Sequence, residues 1–202
     1  MTMNFSSPLS EIVDTLRNGK RFVLSSHARP DGDSIGSQLA LAHSLSSLGK
    51  IAQIVNHDPP PTYLDTLPGV SNIEVSPTVV GAYDAAIVLE CASLNRTNVL
   101  GLEKYRVINI DHHTGNSMYG ALNWFDPSAA ACAEMIYDVV VELLRTTLGA
   151  IEECWCADGY PGCVQSPKCG NNNEPLDKAA SKLILERLLV DAAEEHEATS
   201  TA

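Results

Sequence analysis

Ser26-His27-Ala28-Arg29-Pro30-Asp31-Gly32-Asp33-Ser34-Ile35-Gly36-Ser37 is the stretch on which the fold turns. Upstream, Arg21-Phe22-Val23-Leu24-Ser25 is a short aromatic and β-branched run that reads as a buried strand. Downstream, Ile35, Leu39, Leu41, Ala42, Leu45 and Leu48 recur at helical spacing as far as Gly49, a suitable C-terminal cap. One His and two Asp therefore sit between the end of a strand and the start of a helix. In open α/β sheets that edge binds ligands. Two carboxylates two residues apart repel unless something positive lies between them, and oxygen donors joined by an imidazole suit Mn²⁺ or Mg²⁺. The competing reading is a capped helix, with Asp33 or Ser34 as the cap and His27 incidental.

A second stretch repeats the arrangement. Tyr105-Arg106-Val107-Ile108-Asn109-Ile110 is a strand running into Asp111-His112-His113, which puts an acid and two imidazoles at the same sheet edge. His27-x-x-Pro30-Asp31-x-Asp33 with Ile35-Gly36-Ser37, followed by Asp111-His112-His113, resembles the DHH phosphoesterase superfamily. Within it the chain is most similar to the bacterial oligoribonuclease/pAp phosphatases, the nanoRNases, over residues 5–148. The resemblance implies an α/β fold, a Rossmann-like and mainly parallel sheet flanked by helices.

With 202 residues the chain can hold one ordinary α/β domain and little more. It is 45% hydrophobic, enough for a core. No apolar run approaches the ~20 residues needed to cross a bilayer, and no signal-peptide pattern opens the chain, so the expectation is a cytoplasmic protein without a membrane partner. A net charge of −12 argues against a broad basic surface for duplex nucleic acid. It leaves room for a short nucleotide held by metal ions, whose charges dominate locally.

Residues 4–19 read as an amphipathic helix on Phe5, Leu9, Ile12, Val13 and Leu16, with Ser7 or Ser10 as cap. Ile51–Val55 is the next strand, parallel to the first. Asn56 to Pro61 is a loop at the active edge, in which His57 and Asp58 read as solvated rather than as site residues. Leu64–Ile73 reads as a short helix and turn. Asp84–Leu89 is a buried strand ending at Glu90, with Arg96 just beyond. Leu122–Asp126 is a short strand, and Asp126-Pro127-Ser128 opens a helix, capped by Ser128, that runs to Leu148-Gly149. Glu134 is equally suited to the site and to the helix surface.

Past Gly149 the resemblance ends. The domain expected is residues 1–149. Residues 150–175 read as an irregular Cys-, Gly- and Pro-rich segment, and 176–202 as an amphipathic helix (Leu176, Ala180, Leu183, Ile184, Leu188, Leu189) with an acidic tail. The family pattern continues instead with a further metal motif and a second, substrate-binding domain. Asp158, followed by Gly and Tyr, does not carry that motif, and the change at 150 reads as a truncation, frameshift or recombination. The apolar helix face would cover a bare sheet edge or pair with a second copy, so a homodimer is a candidate assembly.

The resemblance implies site residues. His27 and Asp31 would hold one Mn²⁺, and Asp33 and His112 a second, with Mg²⁺ or Co²⁺ as substitutes. Glu90 stands where the family has a bridging aspartate. Its extra methylene displaces the carboxylate by ~1.5 Å, so it is expected to coordinate at reduced efficiency, the alternative being a solvated strand end. Asp111 would orient His112 or join the ligands, His113 would donate to the phosphate, and Arg96 would stabilise phosphoryl charge. The implied reaction is attack of metal-activated water on phosphorus. The implied substrates are short single-stranded oligoribonucleotides and 3′-phosphoadenosine 5′-phosphate. The rival from another class is an impaired or truncated domain that binds metal or nucleotide without efficient turnover.

Of six cysteines, Cys91 and Cys132 fall in apolar segments and read as small buried hydrophobes. Cys154, Cys156, Cys163 and Cys169 cluster within sixteen residues. Their C-x-C-x₆-C-x₅-C spacing is not a standard zinc pattern, though four neighbouring thiols can bind zinc, which leaves a thiol-rich metal module as a third reading.

Overall fold

Arg21–Ser25 (β1) is buried at every position after the first, so it has no polar face to turn to solvent. Continuous burial of this kind belongs to a parallel strand covered on both sides. The computed structural model describes residues 7–159 and 177–200, and the expectations for Phe5, Cys163, Cys169 and Leu176 lie outside them. The other strands are β2 (Ile51–Asn56), β3 (Glu74–Val75), β4 (Ala85–Leu89), β5 (Arg106–Asp111) and β6 (Leu122–Phe125). They form one six-stranded sheet in the order β3-β2-β1-β4-β5-β6, and every pairing is parallel. Leu24 pairs with Ile87, and Ile87 with Ile108, which places apolar residues in rows across the centre.

The helices are α1 (Pro8–Asn18), α2 (Gly32–Ser47), α3 (Cys132–Glu153) and α4 (Lys178–Ser200). Ser7 caps α1, its Oγ accepting the Ser10 amide at 3.2 Å, and Ile12, Val13 and Leu16 are buried. α2 buries Ile35, Leu39, Leu41 and Leu45. Cys91 and Cys132 are fully buried, as expected, and burial pushes both thiols up, that of Cys91 to about 11. The chain divides into two compact units, Met1–Val139 and Val140–Ala202, and the division falls within α3. Among the described residues no helix is long and apolar enough to cross a membrane.

The structure corrects several local expectations. Asp31, not Asp33 or Ser34, caps α2, and its Oδ1 accepts the Ser34 amide at 3.0 Å. Residues 64–73 hold no α-helix. Two 3₁₀ turns, Thr62–Leu64 and Val70–Asn72, surround the Pro68-Gly69 break and lead into the two-residue edge strand β3. Ser128 does not open α3. It hydrogen bonds the Asp126 carboxylate in a local turn, and the helix starts at Cys132. Nor does α3 stop at Gly149. It continues to Glu153, tolerating an interior glycine that costs about 1 kcal/mol relative to alanine.

Because β1 lies between β2 and β4, the chain leaves β1 toward one side of the sheet and returns on the other for β4. The crevice at such a reversal, outside the carboxyl ends of the strands, is where an open α/β sheet binds its ligand. The His27–Ser37 segment follows β1, Glu90 follows β4, and Asp111 ends β5 with His112 and His113 next.

Candidate metal centre

Each of the first two motif loops contains a non-glycine residue in the left-handed region, Arg29 at φ 58° and Glu90 at φ 56°. Such backbone costs on the order of 1 kcal/mol and persists where the surroundings over-determine it. At Glu90 it turns the side chain of a strand-end residue into the crevice. Glu90 is only 3% exposed. That rules out the solvated strand end.

His27 Nδ1 lies 2.9 Å from the Ala28 carbonyl, and His112 Nδ1 lies 3.0 Å from the Ala129 carbonyl. A carbonyl only accepts, so in the neutral form of both rings the proton sits on Nδ1 and the Nε2 lone pair is presented to the crevice. This tautomer, held by backbone, is the one metal-ligating histidines adopt. His27 Nε2 lies 2.9 Å from Ser34 Oγ, which can donate to it, and 3.9 Å from Asp31 Oδ2. His112 Nε2 lies 3.3 Å from Glu90 Oε2 and 3.7 Å from Asp33 Oδ2. Glu90 Oε2 is buried without a hydrogen-bond partner.

Lone pairs facing lone pairs in a low-dielectric crevice are unfavourable unless a proton or a cation intervenes. The titration pattern reports the same crowding. Burial first, and then the Asp33 charge, push the Glu90 carboxyl up to about 7. Burial works against charge on His112, but the Ala129 carbonyl, Glu90 and Asp33 outweigh it and raise its pKa. Burial also opposes ionisation of Asp31, yet the Ser34 amide and hydroxyl and His27 outweigh it and hold its carboxyl below the usual range.

Donor atoms of Glu90, His112 and His113 lie within 4.8 Å of one another, and so do those of His27, Asp31 and Glu90. Glu90 belongs to both sets. The nitrogen and oxygen chemistry and the orphaned Oε2 fit divalent cations such as Mn²⁺.

Asp33 is engaged differently from the other carboxylates. Its Oδ2 accepts the Cys132 amide at 2.8 Å, and its Oδ1 accepts the Ala133 amide at 2.9 Å and the Ser37 hydroxyl at 3.1 Å. It therefore caps α3, a helix about a hundred residues away in sequence. Asp111, fully buried, meets His113 rather than His112. Its Oδ1 lies 3.0 Å from His113 Nδ1, and its Oδ2 accepts Asn116 Nδ2 at 2.6 Å. Arg96 is exposed, in the 3₁₀ turn Leu94–Thr97, and its carbonyl accepts the Ala28 amide at 2.7 Å, tying that turn to the first motif loop. Glu134 accepts the Ala130 amide at 2.8 Å. Asp58 accepts the Arg29 amide at 2.8 Å and pairs with His57.

Sequence reasoning missed Asn116, the Ala129 carbonyl and the role of Ser34 beside His27. Asn116 lies in Thr114-Gly115-Asn116, which carries only turn chemistry on its face. A backbone carbonyl leaves no trace in sequence at all.

The model of the DHH family, N-terminal domain, matches residues 21–157, extending past Gly149, where the resemblance was expected to end. The bifunctional oligoribonuclease and PAP phosphatase NrnA of Thermus thermophilus is 39% identical over 118 residues, 58% of this chain and 35% of the relative. The protein of the same name from Bacillus subtilis is 29% identical over 140 residues, 66% of this chain and 42% of the relative. The chain thus spans between about a third and two fifths of the length of these relatives. Among solved structures, an exopolyphosphatase-related protein from Bacteroides fragilis superposes with a TM-score of 0.62 at 23% identity, covering 71% of this chain and 46% of its own. That likeness bears on the fold.

Proposed function

Because this chain belongs to the DHH family, we propose that it is a metal-dependent phosphoesterase acting on short 5′-phosphorylated oligoribonucleotides, 3′-phosphoadenosine 5′-phosphate, or both. The single observation that carries this reading is the position of Glu90, buried, unpartnered at Oε2 and common to both donor clusters. The substrate class rests on the activity for which the relatives are named. The proposed catalytic domain is residues 1–149, with 150–175 and 176–202 outside it.

In this reading His27, Asp31, Asp33, Glu90 and His112 are the residues that would hold two Mn²⁺ ions. Bound there, the cations supply Lewis-acid stabilisation of phosphoryl oxygens and a more acidic water. The protein's own groups do the rest. The carbonyls of Ala28 and Ala129 hold the His27 and His112 rings in the ligating tautomer. Asp111, itself held by Asn116, takes the Nδ1 proton of His113 as a hydrogen bond. In its imidazolium form, with Nδ1–H on Asp111, His113 would donate from Nε2 to a phosphoryl or leaving-group oxygen. The exposed Arg96 adds positive charge at the rim for a phosphate.

The test is release of nucleotide or phosphate from 5′-phosphorylated diadenylate and from 3′-phosphoadenosine 5′-phosphate, with Mn²⁺ and with an Asp31→Ala control. Mn²⁺-dependent turnover lost in the control supports the reading. No turnover above the control on either substrate, from a folded protein, overturns it and leaves a domain that binds without hydrolysing.

A further inference from the structure

The second compact unit contains a side-chain cluster that the phosphoesterase reading does not use. Cys154 and Cys156, just past the end of α3, have their Sγ atoms 3.2 Å apart. They are not bonded as a disulfide, and both are half-buried. Trp155 between them is 93% exposed. A cation clamps the turn that carries them: Lys178 Nζ donates to the carbonyls of Cys154 and of Cys156, the latter at 3.1 Å. The Lys178 amide also donates to the Asp158 carbonyl at 3.1 Å, a further contact between the start of α4 and the residues just past α3.

We propose that Cys154 and Cys156 form a thiolate site for Zn²⁺, separate from the histidine–carboxylate centre. Three features point to it. First, the spacing is near a chelate bite. Zn–S bonds of ~2.3 Å in tetrahedral geometry put neighbouring sulfurs ~3.8 Å apart, so a modest opening of the 3.2 Å pair suffices. Second, thiolates select Zn²⁺ over the hard cations that suit oxygen donors, so the two centres discriminate by chemistry rather than by competition. Third, the Lys178 ammonium offsets part of the negative charge of two thiolates. On binding, each thiol forms an S–Zn bond and releases its proton to solvent, with no change in oxidation state. The pair supplies two of four coordination positions. Binding would fix the Cys154–Cys156 turn just past α3.

The test uses the full chain, reduced and stripped of metal, titrated with Co²⁺ alone as the spectroscopic probe. Thiolate ligation gives a near-ultraviolet sulfur-to-cobalt charge-transfer band that imidazole and carboxylate ligands do not produce, and Zn²⁺ should bleach it by displacement. The expected result is a saturable band, lost in Cys154→Ser/Cys156→Ser and retained in Asp31→Ala. If that double variant fails to fold, alkylation of the unaltered chain replaces it. Zn²⁺ should slow labelling of Cys154 and Cys156 at least ~10-fold, read by peptide mass. Absence of the band from reduced, folded protein overturns the proposal, as does a band unchanged in the double variant. Labelling unaffected by Zn²⁺, or a Cys154–Cys156 disulfide that forms equally fast with and without Zn²⁺, overturns it too.

Discussion

Glu90 Oε2 lies 3.3 Å from Nε2 of His112, and the hydrogen of that ring is committed to the Ala129 carbonyl on its far side. Two electron-rich atoms therefore face each other in a buried crevice, a contact that calls for a proton or a cation between them. Glu90→Gln keeps the shape and removes the charge. Mn²⁺ at 100 times its dissociation constant should stabilise the unaltered protein by about 2.7 kcal/mol, reversibly with chelator. In Glu90→Gln that shift in melting temperature should vanish, together with Mn²⁺ binding by calorimetry. An undiminished shift would remove Glu90 from the ligand set.

The same contact gives a pH dependence. In the fold Glu90 keeps its proton up to about 7, against an ordinary value of 4.5, so between these values the folded chain binds more protons than the unfolded one. The stability this contributes is fully present below pH 4.5 and lost as the pH rises through 7. The raised pKa of His112 acts in the same direction above its ordinary 6.5. Metal-free protein should become less stable in urea as the pH is raised across this window, and Mn²⁺ affinity should rise with pH because the ion displaces protons. A flat or inverted profile for the metal-free chain would contradict the assignment.

Asp33 ties the first motif to the start of α3 through the Cys132 and Ala133 amides. Asp33→Ala should cost about 1–2 kcal/mol, the range for losing a helix cap. The loss should be seen as a lower urea midpoint at unchanged slope, and as faster amide exchange at Cys132 and Ala133. Exchange unchanged at those two amides would mean the cap is not formed in solution.

Asn116 is the other donor to the buried Asp111. Asn116→Ala should cost about 1–3 kcal/mol, because a buried charged acceptor loses a partner. Activity should fall about 10- to 100-fold, as for groups that orient the residues around a metal. If His113 is positioned through Asp111, the loss should fall on kcat more than on KM. A pure KM effect would place Asn116 against substrate instead.

Much of this molecule is legible along the chain. The buried runs at Arg21–Ser25 and Arg106–Asp111 are continuous because both faces of a parallel strand are covered. The acids and imidazoles that follow them must then lie at the carboxyl edge, since strand polarity places them there. Local pattern and strand direction suffice for this much. Three-dimensional contact decided the rest. The helix after Asp126 starts at Cys132 rather than Ser128 because Asp33, from a different loop, satisfies its first amides. Asp111 serves His113, and a carbonyl at Ala129 selects the tautomer of His112. Glu90, whose backbone takes φ 56° just past β4, enters both donor sets. Hydrogen bonds between residues far apart in sequence leave no periodicity to read, and a backbone carbonyl looks the same at every position. The sequence by itself determined which chemistry could gather at the sheet edge. The tertiary structure decided which atoms face one another, because lone-pair direction, burial and helix capping are properties of contacts, not of residue order.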